Sequence, residues 1–312
     1  AGRLMRLGID LGGTKIAAVV LGADGQEVWT ARRDTPRGDY GATLHAIGEL
    51  VRAGDRAAGA RCSVGVGMPG ALSPQAGVIK NANSTWLIGR PLEADLERAL
   101  DRPVRLSNDA NCLAVSEAAD GAAAGAPVVF GVILGTGVGG GLVAHGRLVV
   151  GANAIAGEWG HNPLPWPRDD ERPGPACYCG RAGCIETFVS GPGLAGDYER
   201  RGGPPVRGEE IVARAAAGEP AAVATLSDWH GRLARALATI VNVVDPDVIV
   251  VGGGLSRIES LYEAVPQIWS SWIFSDAVTT RLVPARFGDA SGVRGAARLW
   301  QAGPGSAGRD SC

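Results

Sequence analysis

Twice in this 312-residue chain an apolar strand ends in a glycine turn and runs directly into a second strand, and this pattern limits the possible folds more than any other feature. Residues 3–10 alternate weakly and reach the turn Leu11-Gly12-Gly13-Thr14; residues 15–21 form a second apolar strand, and after Ala23-Asp24-Gly25 residues 26–33 form a third. The meander returns as strand 128–134, turn Gly135-Thr136-Gly137, strand 138–145, a turn at Gly146 and strand 148–149. Two meanders with a turn in the same place predict a duplicated α/β unit, a repeat of fold rather than of sequence. Around them, helices are predicted over 41–58, 92–100, 109–119, 208–217, 220–244, 255–272 and 291–300, buried strands over 63–67 and 247–251, and further strands over 103–106 and 281–285. A chain of this length implies two domains. The small-residue stretch 121–127 is the expected boundary. It gives an N-terminal α/β domain over 1–120, completed by a C-terminal helix at 291–301, and a C-terminal α/β domain over 121–290 that carries a Pro/Cys-rich insertion at 157–186. Residues 303–312 are expected to be a flexible tail.

Three glycine-rich turns follow apolar strands: Asp10-Leu11-Gly12-Gly13-Thr14-Lys15, Gly135-Thr136-Gly137-Val138-Gly139, and Gly252-Gly253-Gly254. Glycine lets a backbone approach a phosphate and turn its N–H groups toward the oxygens, and Thr14 and Thr136 add hydroxyl donors. Asp10 is suited to hold Mg²⁺ through water. Any one of these turns also serves as a plain hairpin turn; three together, two of them with Gly-Thr, favour phosphate binding. A dinucleotide site at 135–140 is rejected, because strand-like sequence follows where that site needs a helix. No G-x-x-x-x-G-K-[ST] loop is present.

Asn108-Asp109 stands at a predicted strand end and helix start. There the helix dipole favours an ionised carboxylate, which is suited to accept a proton from an attacking hydroxyl. The same residue types suit a helix cap. Asn81, Asn83, Asn108, Glu158 and Glu186 supply the donors and acceptors that a buried polyhydroxylated ligand requires, because each unpaired hydroxyl is costly. Cys177, Cys179 and Cys184, with His161 sixteen residues upstream of the first, form a Cys3His set suited to tetrahedral zinc in a closed, structural site. A reduced cysteine cluster or a single disulfide is the alternative. Cys62 and Cys112 lie in apolar stretches and are expected to be buried thiols.

Composition excludes other classes. The formal net charge is −2, which gives no electrostatic footprint for nucleic acid or for an anionic membrane. The uncharged run 121–146 is long enough for a membrane helix, but its glycines at 131, 135, 137, 139, 140 and 141 read as strand–turn–strand. The first residues lack the apolar core of a signal peptide, so the expected location is the cytoplasm.

Taken together, these motifs resemble the ROK family of sugar kinases in the actin/hexokinase superfamily, from about residue 6 to 300. The resemblance rests on Gly8-Ile-Asp-Leu-Gly-Gly-Thr-Lys15, Asn108-Asp109-Ala-Asn111, Leu134-Gly-Thr-Gly-Val-Gly139, Gly157-Glu-Trp-Gly-His161, Cys177-Tyr-Cys-Gly-Arg-Ala-Gly-Cys-Ile-Glu186 and Val251-Gly-Gly-Gly254. It implies two ribonuclease-H-like α/β domains with ATP and sugar in the cleft between them. It also implies Asp109 as catalytic base, with Asn83, Asn108, Glu158, His161 and Glu186 at the sugar. Asp10, Gly12, Gly13, Thr14, Lys15, Gly135, Thr136, Gly137, Val138, Gly139, Gly253 and Gly254 would surround Mg-ATP, and zinc would sit on His161, Cys177, Cys179 and Cys184.

Lys80-Asn-Ala-Asn-Ser-Thr-Trp-Leu87, with Glu117 to Gly125 and Glu158 to Trp166, is similar to bacterial fructokinases of the manno(fructo)kinase type. The expected reaction is therefore phosphorylation of D-fructose at its 6-hydroxyl, with mannose and glucose as secondary substrates. The N-acetylglucosamine kinase and glucokinase branches are the alternatives, and a homodimer is common in the family. A sugar-responsive regulator is disfavoured, since only seven residues precede Gly8 and leave no room for a helix-turn-helix. A non-catalytic zinc and sugar-binding module is disfavoured by the intact Asp10, Asp109 and glycine turns.

Overall fold

Two five-stranded mixed sheets of identical strand order organise the computed structural model, which describes residues 5–82 and 84–300. The first half runs β1 (Arg6–Leu11), β2 (Lys15–Leu21), β3 (Glu27–Asp34), α1 (Tyr40–Ala58), β4 (Ser63–Met68), the short hairpin β5 (Ala71–Leu72) and β6 (Ile79–Lys80), α2 (Leu92–Leu100), β7 (Val104–Asn108) and α3 (Asp109–Ala119). The second runs β8 (Val128–Leu134), β9 (Val138–Ala144), β10 (Arg147–Val149), α4 (Ile185–Val189), α5 (Gly191–Arg200), α6 (Gly208–Ala216), α7 (Pro220–Val244), β11 (Val248–Gly252), α8 (Leu261–Trp269), β12 (Arg281–Pro284) and α9 (Ser291–Arg298).

The first sheet is ordered β3-β2-β1-β4-β7 and the second β10-β9-β8-β11-β12. In each, an antiparallel meander continues into two parallel strands. The duplication predicted from the two meanders is therefore a property of the whole topology. Register sets the chemistry: Asp10 pairs with Gly67 across β1 and β4, and Met68 with Asn108 across β4 and β7, so the C-terminal ends of three parallel strands lie side by side.

Local signals explain the boundaries. Asp39 caps α1 by accepting the Ala42 N–H at 2.9 Å, and Gly59 ends it in the left-handed conformation. Helix α9 leaves the second half and packs on the first sheet. A Cβ at Gly8 would overlap the Val293 carbonyl, and one at Gly65 the Ala296 carbonyl, so only glycine admits the helix this closely. Arg294 and Arg298 of α9 pair with Asp120, and Ser291 Oγ donates to the buried Glu117 at 2.7 Å. Glu117 also accepts the backbone N–H groups of Ala122, Arg286 and Phe287, which satisfies a carboxylate that solvent does not reach. Cys62 and Cys112 are buried free thiols, as expected.

Two segments differ from the sequence reading. The helix expected over 255–272 is a 3₁₀ turn at Gly254–Arg257 followed by α8. Ile258 between them is extended and buried, and turning there lets both Ile258 and Leu261 enter the core. Residues 185–200, to which the sequence reading assigned no element, form α4 and α5. The Gly191-Pro192-Gly193 run reads as a breaker but acts as a start: Ser190 accepts the Gly193 N–H, and proline in a first turn forfeits no hydrogen bond. Asn83 and the tail at 303–312 lie outside the described residues.

Candidate active site

Asp10 is the last residue but one of β1 and Asp109 opens α3, and both line one cavity of about 330 Å³ with Gly12, Gly13 and Gly253. One glycine turn of each sheet thus faces the same pair of carboxylates. Burial pushes the Asp109 carboxyl up to about 6, with Glu158 adding to the rise and the Ala110 N–H at 2.8 Å opposing it. Asp10 is pushed up to about 7, first by burial and then by the charge of Asp109, with Arg32 only partly offsetting this. Two buried carboxylates of like charge on one cavity suit a divalent cation, so the residues present fit Mg²⁺.

The glycine turns are positioned by specific backbone bonds. Gly12 N–H donates to the Lys15 carbonyl at 3.0 Å, Thr35 Oγ1 donates to the Gly12 carbonyl, and Arg37 Nε donates to the Gly13 carbonyl. Thr14 and Lys15 are exposed beyond the turn. In the second turn Gly135 N–H donates to the Gly137 carbonyl, and Gly191 N–H to the Gly135 carbonyl. Gly253 adopts φ +83°, and a Cβ there would overlap the Leu134 carbonyl; Gly254 begins the following 3₁₀ turn and faces open space.

Glu186, at the start of α4, accepts the Val138 N–H at 2.7 Å and so ties the zinc-side segment to the second glycine turn. Trp159 Nε1 donates to the Gly139 carbonyl at 3.0 Å and holds the Glu158 segment against the same strand. Glu158 is pushed above the usual carboxylate range by burial; His161 and Lys80 oppose the rise and Glu186 adds to it. Asp109, Glu158, Glu186 and His161, distant in sequence, thus lie within electrostatic reach of their neighbours. Asn108 caps α3 and lines a separate cavity of about 390 Å³ rather than the one of Asp10 and Asp109: its Oδ1 accepts the Ala110 N–H, and its Nδ2 donates to the Gly70 carbonyl at 3.0 Å. Asn81 has φ +58° in the loop that carries Lys80 toward the second half, where Lys80 Nζ donates to the Asn153 carbonyl.

His161 Nδ1, Cys177 Sγ, Cys179 Sγ and Cys184 Sγ all lie within 4.8 Å of one another. Tetrahedral zinc with ordinary bond lengths requires sulfur–sulfur edges of about 3.8 Å and sulfur–nitrogen edges of about 3.6 Å. Cys179 and Cys184 are 3.6 Å apart, and Cys177 is 3.5 Å from His161 Nδ1, so the donor set fits the ion. The other imidazole nitrogen, Nε2, lies 3.0 Å from the Tyr178 hydroxyl.

The insertion is anchored behind this cluster. Glu171, its side chain fully buried, accepts from Arg232 and Arg235 of α7, while Arg232 also binds Asp197 of α5. These arginines hold the Glu171 carboxyl down at about 2 despite burial.

Sequence reasoning missed Asp289 and Gly292, which line the cavity of Asp10 and Asp109. Gly288-Asp289-Ala290-Ser291-Gly292 before the last helix is a helix-start signal, but it points to the cavity only once α9 is placed on the first sheet.

A repeated α/β topology with paired carboxylates between two glycine turns, beside a Cys3His cluster, defines a class of two-sheet proteins built around an acidic cleft. A family model described as "ROK family" matches residues 6–303, and the chain belongs to the ROK family. It is 42% identical over 299 residues to an N-acetyl-D-glucosamine kinase of Yersinia pseudotuberculosis, covering 95% of this chain and 98% of that one. It is likewise 42% identical to the N-acetyl-D-glucosamine kinase of an Escherichia coli O6:H1 strain over 299 residues. Among solved structures, a ROK hexokinase from Thermus thermophilus superposes with TM-score 0.84 at 34% identity, over 94% of this chain and 97% of that one. A ROK family glucokinase from Streptomyces griseus, solved with glucose and AMPPNP, superposes with TM-score 0.77 at 27% identity, over 96% and 99%. The expected fold class stands, that of the actin-like sugar kinases. The fructokinase expectation does not match the names of these relatives. Among the described residues no helix is long and apolar enough to cross a membrane.

Proposed function

We propose that this chain is an ATP-dependent hexose 6-kinase. The observation that carries this reading is the meeting of Asp10 and Asp109 in one cavity bounded by glycine turns from both sheets, in a chain of this family. Asp109 accepts the proton of the 6-hydroxyl as that oxygen forms its bond to the γ-phosphorus; the bond from that phosphorus to the β-phosphate oxygen breaks, and ADP leaves. Backbone N–H groups of Gly13, Gly253 and Gly254 orient the phosphates, Gly12 forms the tight turn that lets the chain approach them, and Thr14, Lys15 and the turn at residues 135–139 complete the nucleotide side. Asp10 would hold Mg²⁺, which would supply neutralisation of phosphate charge when bound. Asn83, Asn108, Glu158, His161 and Glu186 hold the sugar hydroxyls. His161, Cys177, Cys179 and Cys184 would hold a structural zinc, which would fix the segment that carries Glu186.

Two observations point to different sugars. Similarity over nearly the whole chain supports N-acetyl-D-glucosamine, which the comparisons back better than fructose. The segment 80–87 supports D-fructose as the second reading, because it carries the resemblance to the manno(fructo)kinase branch and reaches the second half through Lys80. Coupled ADP release with Mg-ATP against N-acetyl-D-glucosamine, fructose, mannose and glucose tests both. Turnover led by N-acetyl-D-glucosamine upholds the first reading, and turnover led by fructose the second. No turnover with any sugar, in folded zinc-loaded protein, overturns the kinase.

A further inference from the structure

Three successive carbonyls of the first glycine turn are held from one side. Thr35 Oγ1 donates to the Gly12 carbonyl at 2.8 Å, Arg37 Nε to the Gly13 carbonyl at 2.7 Å, and the Thr35 N–H to the Thr14 carbonyl at 2.9 Å. All three donors belong to the loop between β3 and α1, and that loop is itself braced. Thr35 is buried, the Asp39 N–H donates to the Pro36 carbonyl at 3.2 Å, Gly38 turns the chain there at φ +78°, and Asp39 caps α1.

A trans peptide is planar, so its C=O and the N–H of the next residue point in opposite directions. Holding the Gly12 and Gly13 carbonyls toward the loop therefore turns the Gly13 and Thr14 N–H groups away from it. Among the described residues neither N–H has an acceptor. Gly12 and Gly13 line the cavity of Asp10 and Asp109, whereas Thr35 and Arg37 do not, so the loop holds the turn from behind. Two adjacent glycines let a phosphate come close, but they leave the peptide planes around them free to flip. We propose that Thr35 and Arg37 are positioning residues for the nucleotide: they fix these two planes so that the Gly13 and Thr14 N–H groups already face a phosphate oxygen of the triphosphate. Donors oriented in advance need no reorganisation as charge develops on that phosphate. The assignment deepens the kinase reading above and rests on it.

The test is ATP titration calorimetry with steady-state kinetics on folded, zinc-loaded protein. Thr35→Val keeps the shape and removes the hydroxyl, and Thr35→Ser retains a hydroxyl. Arg37→Gln places an N–H donor at the same distance along the side chain as the arginine Nε, without the charge; Arg37→Lys keeps the charge and places a carbon there. ATP affinity and kcat/KM for ATP should fall about 3- to 10-fold in Thr35→Val and in Arg37→Lys, with the sugar KM within about twofold of wild type. Thr35→Ser and Arg37→Gln should keep most of what those two variants lose. Loss in Arg37→Gln with retention in Arg37→Lys means that charge alone draws the phosphate, and overturns the assignment for Arg37. Unmoved ATP affinity in all four variants overturns it for both residues, and so does an equal rise in the sugar and ATP KM, which makes the loop a general support. If Thr35→Val fails to fold, the two variants of the exposed Arg37 decide. Wild type that neither binds ATP nor turns over any sugar overturns the kinase reading along with this one, whereas active wild type with unmoved variants overturns this one alone.

Discussion

Asp10 and Asp109 share one cavity, and burial, followed by the charge of Asp109, holds the Asp10 carboxyl above its ordinary range, with Arg32 opposing both. Asp109 is itself raised to about 6, so the base is lost just below neutrality. Sugar-saturated turnover should fall as pH drops through about 6, and Asp109→Ala should lower kcat by about 100-fold or more while sugar still binds. Steady-state kinetics and calorimetry check this; a variant that keeps more than a few per cent of activity removes Asp109 as the base.

The same raised value has a consequence for stability. Below about pH 4 the carboxyl is protonated in both folded and unfolded chains and contributes nothing. As pH rises toward and through about 6, the unfolded chain ionises more easily, and the folded state bears a growing penalty. Asp109→Asn should therefore raise the melting temperature at pH 7 to 8 and have no effect near pH 4. Thermal melts at both pH values decide; equal shifts at the two would separate the gain from ionisation.

Glu171 behaves in the opposite sense. Held down at about 2 by Arg232 and Arg235, it adds stability that is present above the ordinary glutamate range and is lost as pH falls through about 2. Glu171→Ala would leave buried guanidinium groups unpaired and should cost about 3–5 kcal/mol in urea unfolding at pH 7. A loss below about 1 kcal/mol would show the cluster relaxing or hydrating instead.

Zinc should be found near one ion per chain by elemental analysis of untagged protein. Cys184→Ser, at a buried ligand, should lose it, and chelation should remove activity slowly, together with the circular dichroism of the folded state. Full activity in metal-free protein would make the cluster dispensable.

Gly253 and Gly254 are neighbours with different constraints. Gly253→Ala places a Cβ into the Leu134 carbonyl at positive φ and should lower stability. Gly254→Ala meets nothing within 4 Å, so it should fold as wild type and raise the ATP KM by crowding the phosphates. An unmoved KM would make Gly254 a turn residue only.

Much of this was legible in the residues. Strand–glycine–strand patterns announced the meanders, and spacing announced the Cys3His set, because both are local in sequence. What the sequence could not show were long-range meetings: Glu186 on Val138, Asp289 beside Asp10, and Glu171 under α7. The split between 254 and 269 was hidden for a related reason, since burial of Ile258, rather than local propensity, decides where the helix begins. At Gly191-Pro192-Gly193 the breakers misled because a serine cap converts them into a helix start.

Helix α9 lies on the sheet whose five strands end at Asn108, and Val293 and Ala297 cover Val19 and Leu21 of β2. A ribosome delivers those strands early and their cover last, after the whole second sheet has emerged. The half of the molecule that is synthesised first is therefore finished last, and a chain that stalls or is clipped before Ser291 leaves Val19 and Leu21 uncovered however well the second half has folded.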